Sequence, residues 1–243
     1  MKYSTYIILL LLLASCNSFY LNSMKRIGLF DNQAYLEEIK VPEKKVIFVP
    51  MQHVGTKDYY KDVKYKMDSL QNLGFKPFIE SIIIPDYLDI NQKEYFYKKF
   101  RKITGNVGNL YLDTINNTFV GKVKLPNNHN LINQPPNDEL FDMSEAVNID
   151  AHLDSIILKF EKMHGTIALT KCDLETDIYD LSYNCKTLDK KTQLLFKELF
   201  TFRYRDSIIA DATLKSNNRK IVLVYGKNHF EGLKKFLEIN KSQ

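Results

Sequence analysis

The sequence has no Gly/Ser-rich linker and no low-complexity block, which excludes a string of domains on flexible tethers. It has only three cysteines, and none of them stands in a CxxC or metal-ligand spacing. A dithiol redox motif and a zinc ribbon are therefore excluded. No apolar run approaches the roughly 20 residues that a membrane-spanning helix needs. The basic residues do not cluster. Lys and Arg number 34 against 29 Asp and Glu, a formal net charge of +5, but the lysines fall in scattered pairs: Lys44-Lys45, Lys98-Lys99, Lys190-Lys191 and Lys234-Lys235. This reads as a solvated surface rather than a basic stripe interleaved with aromatics, so nucleic acid is not an expected partner.

At the N-terminus, MKYSTYIILLLLLASC carries one basic residue, a short apolar core and a small-residue exit. That order predicts a secretory signal over residues 1–15. Leu13-Ala14-Ser15-Cys16 resembles a bacterial lipobox, which implies cleavage before Cys16 and acylation of its sulfur. Loss of Lys2 would take the formal charge from +5 to +4. The expected address is the bacterial cell envelope, on its periplasmic or surface face, with the lipid membrane reached through Cys16. Residues 16–40 are then a lipidated tether, and residues 41–243 are long enough for a single domain. In an oxidising compartment Cys172 and Cys185 could bridge; they could equally be two buried thiols.

Apolar patterning predicts an α/β fold, a central mostly parallel sheet flanked by helices, with a partly irregular middle segment. Val46–Val49 reads as a buried strand. Lys57 to Leu73 follows as an amphipathic helix, with Tyr60, Val63, Met67 and Leu70 on one face and Gly74 ending it. Lys76 to Ile84 reads as a strand and Asn91 to Ile103 as a helix. Leu110 to Lys124 predicts a hairpin turning at Asn116-Asn117, and Asn127 to Asn137 a loop. Helices are expected over Asp150–His164, Thr187–Leu214 and Phe230–Ile239, with a strand at Lys220–Val224. VIFVPMQH and IVLVYGKNH share one plan: four apolar residues, a short turn, a histidine, a helix. Both His53 and His229 would lie at the C-terminal edge of the sheet, where ligands bind in open α/β folds.

Other residues read more plainly. His129 falls in an Asn-rich loop and is expected to be solvated. His164 sits at a helix C-terminus, where positive charge is favourable, and His152 in the first turn of a helix. Glu80 lies amid an apolar run. It either pairs or binds a metal inside, or it turns to water at the strand end. Arg203 and Arg205 are two apart on a helix, so they face different ways.

These pieces together resemble the TraB/PrgY–TIKI family, grouped with erythromycin-esterase-like and haem-binding ChaN-like proteins. The matching residues are His53 in Pro50-Met51-Gln52-His53, Glu80, the segment Arg205-Asp206-Ser207-Ile208-Ile209-Ala210, and Gly226-Lys227-Asn228-His229 with Gly232 after it. Gln134 and Asp150 fall where the family places polar residues. The first motif departs from the pattern, having Pro50 where the family has glycine; proline has no N–H and a fixed φ. The resemblance implies an EreA/ChaN-like architecture and a metal-dependent hydrolase acting on peptides or proteins. His53, Glu80 and His229 would be ligands to Mn²⁺, Co²⁺ or Zn²⁺, and Arg205 would stabilise an oxyanion or orient Glu80. A metal-free variant makes His53 a general base held by Glu80. The alternative is a lipoprotein that binds a peptide or haem on the same scaffold without cleaving it.

Overall fold

A computed structural model describes residues 20–105, 111–119, 123–125, 129–180 and 183–239. The signal segment 1–15 and Cys16 lie outside the described residues. The chain divides into two compact units. The smaller takes residues up to Tyr35, Gln52–Ser69 and Asn109–Asp142, and the larger takes Leu36–Met51, Leu70–Gly108 and the chain from Met143 onward. Strands and helices are numbered along the chain.

The larger unit is built on a five-stranded sheet, in the order β1 (Glu37–Val41), β2 (Lys44–Met51), β10 (Lys220–Gly226), β4 (Lys76–Ile79), β9 (Val147–Asn148). Only the edge pair β1–β2 is antiparallel; β2–β10, β10–β4 and β4–β9 are parallel. The two similar stretches of sequence are therefore neighbours, with Val46 opposite Ile221 and Val49 opposite Val224. Their unbroken apolar runs reflect a strand covered on both faces, since Val46 to Val49 and Ile221 to Tyr225 are all buried. Pro50 sits beyond the last β1 pairing, Glu37 with Phe48, so its missing N–H breaks no bond to the edge strand.

On one face, Val46, Phe48, Phe78, Leu223 and Tyr225 pack with Ile209 and Ala210 of α8 (Arg205–Lys215) and with Leu233 and Leu237 of α9 (Phe230–Ile239). Each such aliphatic side chain contributes about 1.5–3 kcal/mol on burial. A second core joins Ile103 of α3 (Ile90–Thr104), Ile156, Ile157 and Phe160 of α5 (Leu153–His164), and Phe196 of α7 (Lys190–Phe196) with Phe200. The long helix expected over Thr187–Leu214 is present as α7, a π-helical segment Lys197–Tyr204, and α8. The fold is mixed α/β with a mostly parallel central sheet flanked by helices.

The smaller unit holds α1 (residues 20–26), the greater part of α2 (Lys57–Asn72), and two small antiparallel sheets. The expected hairpin forms as β5 (Leu112–Asp113) and β6 (Thr118–Phe119), extended by β7 (Val123–Lys124); Asn117, at φ 54°, takes a left-handed turn position that asparagine tolerates. The segment read as a loop over Asn127–Asn137 contains a strand and leads into a short helix. β8 (Leu131–Asn133) pairs with β3 (Val54–Thr56), and a short helix α4 (Asn137–Leu140) follows. A three-residue strand is too short for periodicity to reveal. The segment read as a tether likewise includes β1 from Glu37 and buried Met24 and Leu29 in this unit's core.

One charged surface is not a surface. Lys98, Lys99, Arg101 and Lys102 of α3 are buried. Arg101 donates to the carbonyls of Asp173, Thr176 and Asp177, and Lys98 to that of Leu174. Lys102 pairs with Asp173 at 2.7 Å, and Lys99 with Glu161 at 2.6 Å. Lys98 and Arg101 thus cover carbonyls at the C-terminal end of α6 (Lys171–Glu175), where the helix dipole favours positive charge. The same loop is closed by a disulfide between Cys172 and Cys185, which decides between the two readings of that pair. Replacing both cysteines by alanine is expected to lower stability by about 2–3 kcal/mol in urea denaturation. Unchanged stability would mean that the α3 cations hold the loop unaided.

Candidate active site

Three parallel strands deliver acidic or imidazole groups from their C-terminal ends. Glu80 follows β4 directly, Asp150 comes two residues after β9, and Gly226 ends β10, with His229 closing a single 3₁₀ turn after it. Arg205 and Asp206 enter from the start of α8. All of these belong to the larger unit.

Arg205 is the hub. Its Nε donates to Asp150 Oδ1 at 2.8 Å, and its Nη2 to Asp150 Oδ2 at 2.5 Å and to Glu80 Oε1 at 2.9 Å. Nη1 reaches the Thr201 carbonyl at 3.3 Å. Thr201 lies in the π-helical segment. Such segments are rare and often lie at functional sites. Nη1 also lies 3.3 Å from His229 Nε2. Every guanidinium nitrogen thus has a neighbour within the cluster, as a side chain only 4% exposed requires.

Glu80 is fixed by its backbone and its carboxylate. Its N–H donates to Val224 O at 3.0 Å, and its Oε2 accepts the Gly226 N–H at 2.5 Å. A Cβ at position 226 would sit 3.0 Å from Glu80 Oε2, so any larger residue would press on the carboxylate. His229 is held from the other side: Nδ1 lies 2.5 Å from Asp206 Oδ1, and Nε2 lies 3.3 Å from Glu80 Oε1. Gly232 makes room for this pair, since any side chain on it would begin 1.9 Å from Asp206 Oδ2. The two glycines of the second motif are thus explained by two carboxylates that lie against them.

Asp150 and Glu80 share the guanidinium while Asp206 holds His229, and this sets the protonation. Burial alone would push the His229 pKa down, but the hydrogen bonds to Asp206 and then Glu80 raise it to about 9. Burial pushes Asp206 up, with His229 and Arg205 drawing it partly back. Burial would also raise Glu80, yet the His229 hydrogen bond and the Arg205 charge outweigh it and hold the carboxyl well below the usual carboxylate range. The imidazolium lies between Asp206 and Glu80, and the Glu80 side chain, 24% exposed, is the cluster's opening to solvent.

The remaining expected residues fall elsewhere. His53 and Gln134 belong to the smaller unit, where Gln134 N–H donates to His53 O at 2.8 Å. The His53 ring is exposed and stacks on Tyr111 at 4.4 Å. The trio His53, Glu80 and His229 is thus not assembled within either unit. Among the described residues, no three His, Cys, Asp or Glu side chains gather in a way that could hold a metal ion. The donor chemistry agrees: both Glu80 oxygens and both His229 nitrogens have partners within the cluster, and Arg205 places a cation among the carboxylates. These residues fit a guanidinium rather than a metal. Arg203 is exposed while Arg205 is buried, as their spacing implied. His129 is not simply solvated; it accepts the Leu131 N–H at 3.1 Å and meets Asn117 at 2.5 Å.

Two residues at the site have roles that the sequence does not signal. Asp206 enters there only as part of the Arg205-Asp206 segment of the resemblance, with no role of its own. Tyr225 is fully buried, its ring centroid 6.0 Å from that of His229, and its hydroxyl has no hydrogen-bond partner among the described residues. A strand tyrosine in an apolar run reads as packing. Comparison of the chain with protein-family models, with curated proteins and with solved structures finds no match in any of the three.

The protonation of His229 makes stability depend on pH. Its folded pKa, about 9, is above its ordinary value of 6.5, so its contribution is fully present below pH 6.5 and is lost as pH rises through about 9. Denaturation midpoints are expected to decline over that window in the native chain and to decline less in His229→Asn. Parallel declines would place the titration elsewhere.

Proposed function

We propose that the protein is a hydrolase of the cell envelope, acting on peptide or protein substrates and anchored to the lipid membrane through Cys16. Its proton-transfer group is Glu80, with His229 as its partner. The observation that carries this reading is Glu80, whose side chain is 24% exposed and whose carboxylate is wedged between Arg205 and His229 at the C-terminal edge of a parallel sheet. Arg205 is too enclosed to meet a substrate, so its role is to orient Glu80. A strongly depressed carboxylate is a weak base, which sets the pH behaviour. As pH climbs toward 9, His229 loses its proton and Glu80 loses one of the two cations that depress it. Glu80 then accepts a proton from an attacking water more readily, and the rate rises.

The resemblance in sequence supports the reaction class, whereas the metal it implies is not carried into this reading, because Arg205 and the Gly226 N–H already occupy the Glu80 oxygens. His53 is the other candidate base, on the smaller unit. A second reading, a lipoprotein that captures a peptide or haem without cleaving it, is favoured by one observation: the atoms of the cluster are largely satisfied by one another. Peptide hydrolysis is expected to rise between pH 7 and 9, to fall by about 100-fold or more in Glu80→Gln, and to survive EDTA. A fall confined to His53→Ala would move the base to the smaller unit, and loss of activity to EDTA would restore the metal. Capture of peptide with no cleavage, or a Soret band on adding haem, would favour the binder.

A further inference from the structure

The outer side of α1 presents apolar and basic side chains together. Leu21 and Met24 turn inward and pack with Leu29 in the smaller unit's core. Tyr20, Asn22, Lys25, Arg26 and Ile27 are left exposed, with Tyr20 at 53% and Ile27 at 60%. From Tyr20 to Phe30 the sequence has two basic residues and no acid; the first is Asp31. An aromatic, a β-branched aliphatic and two cations on one short exposed surface form the composition that settles at a bilayer interface, where the rings and aliphatics enter the headgroup boundary and the cations meet anionic lipid.

Chain length makes the contact hard to avoid. Cys16 precedes Tyr20 by four residues, which reach at most about 14 Å fully extended. If acyl chains on Cys16 lie in the hydrocarbon, α1 begins within that distance of the lipid surface.

We infer that the exposed side of α1 and the turn after it, through Tyr20, Lys25, Arg26 and Ile27, dock on anionic lipid headgroups and fix how the smaller unit meets the membrane. This rests on the reading of Cys16 as the lipidated residue. Each basic group at such a surface changes the ratio of docked to undocked helix by about fivefold.

The chain contains no tryptophan, so Ile27→Trp supplies a single indole fluorophore. The full chain is expressed in a bacterial host, acylation of Cys16 is checked by mass spectrometry, and the protein is reconstituted into vesicles of phosphatidylcholine with or without phosphatidylglycerol. Emission from the introduced indole is expected to shift to the blue, and brominated acyl chains to quench it, more strongly in the anionic vesicles. K25E/R26E in the same background is expected to reduce the quenched fraction. Solvent-like, unquenched emission from a chain acylated at Cys16 overturns the docking and leaves the anchor standing. A blue shift without bromolipid quenching means that protein covers the face, and also overturns it. An unacylated Cys16 overturns the anchor, and the docking with it.

Discussion

A guanidinium buried in protein must find acceptors for its N–H groups, and the larger unit is organised by how Arg205 finds them. No single element can supply them. Asp150 after β9 gives the bidentate pair, Glu80 after β4 gives a third oxygen, and the π-helical turn at Thr201 gives a carbonyl. The cation thereby ties two strand ends to the helix that carries it. Removing Arg205 would leave two carboxylates facing each other with little compensation, a change that typically costs about 3–5 kcal/mol. Arg205 also sets the chemistry, since the one carboxylate that reaches solvent is depressed in part by its charge.

The second motif reads as a device for bringing imidazole to that cluster. Gly226 lets its own N–H meet the Glu80 carboxylate, His229 follows after one tight turn, and Gly232 clears the space in which Asp206 grips the ring from behind. The first motif, built on the neighbouring strand, does something different. Its proline stands past the end of β1, and the chain then leaves the larger unit, carrying His53 to a stack with Tyr111 in the smaller one. Two stretches with one plan in sequence serve two units.

Much of this was legible because the signals were continuous. Val46–Val49 and Lys220–Val224 are apolar almost without interruption, which only strands buried on both faces need, and they lie side by side. His229 lies at the sheet edge as its place after a strand implied, and meets Glu80 and Arg205 there, whereas His53, expected at the same edge, belongs to the smaller unit. What escaped was short or masked by charge. β1, β8 and β9 hold too few residues for a period. Asp206 enters the sequence reading only beside Arg205 in the resemblance segment, yet its carboxylate turns to His229. Lys98 and Lys99 read as part of a solvated surface; they are buried because a carbonyl of α6 and the Glu161 carboxylate take them up, which sequence spacing does not reveal.

The state of the His229 ring is the most direct test of this account. Nitrogen-15 shifts of the imidazole, followed with pH, distinguish a ring held between Asp206 and Glu80 from one that coordinates a metal or stands free. Protons on both Nδ1 and Nε2 at pH 7, lost only near pH 9, are the result the account predicts. A ring already neutral at pH 7, or one whose Nε2 shift moves on adding Mn²⁺, Co²⁺ or Zn²⁺, would contradict it.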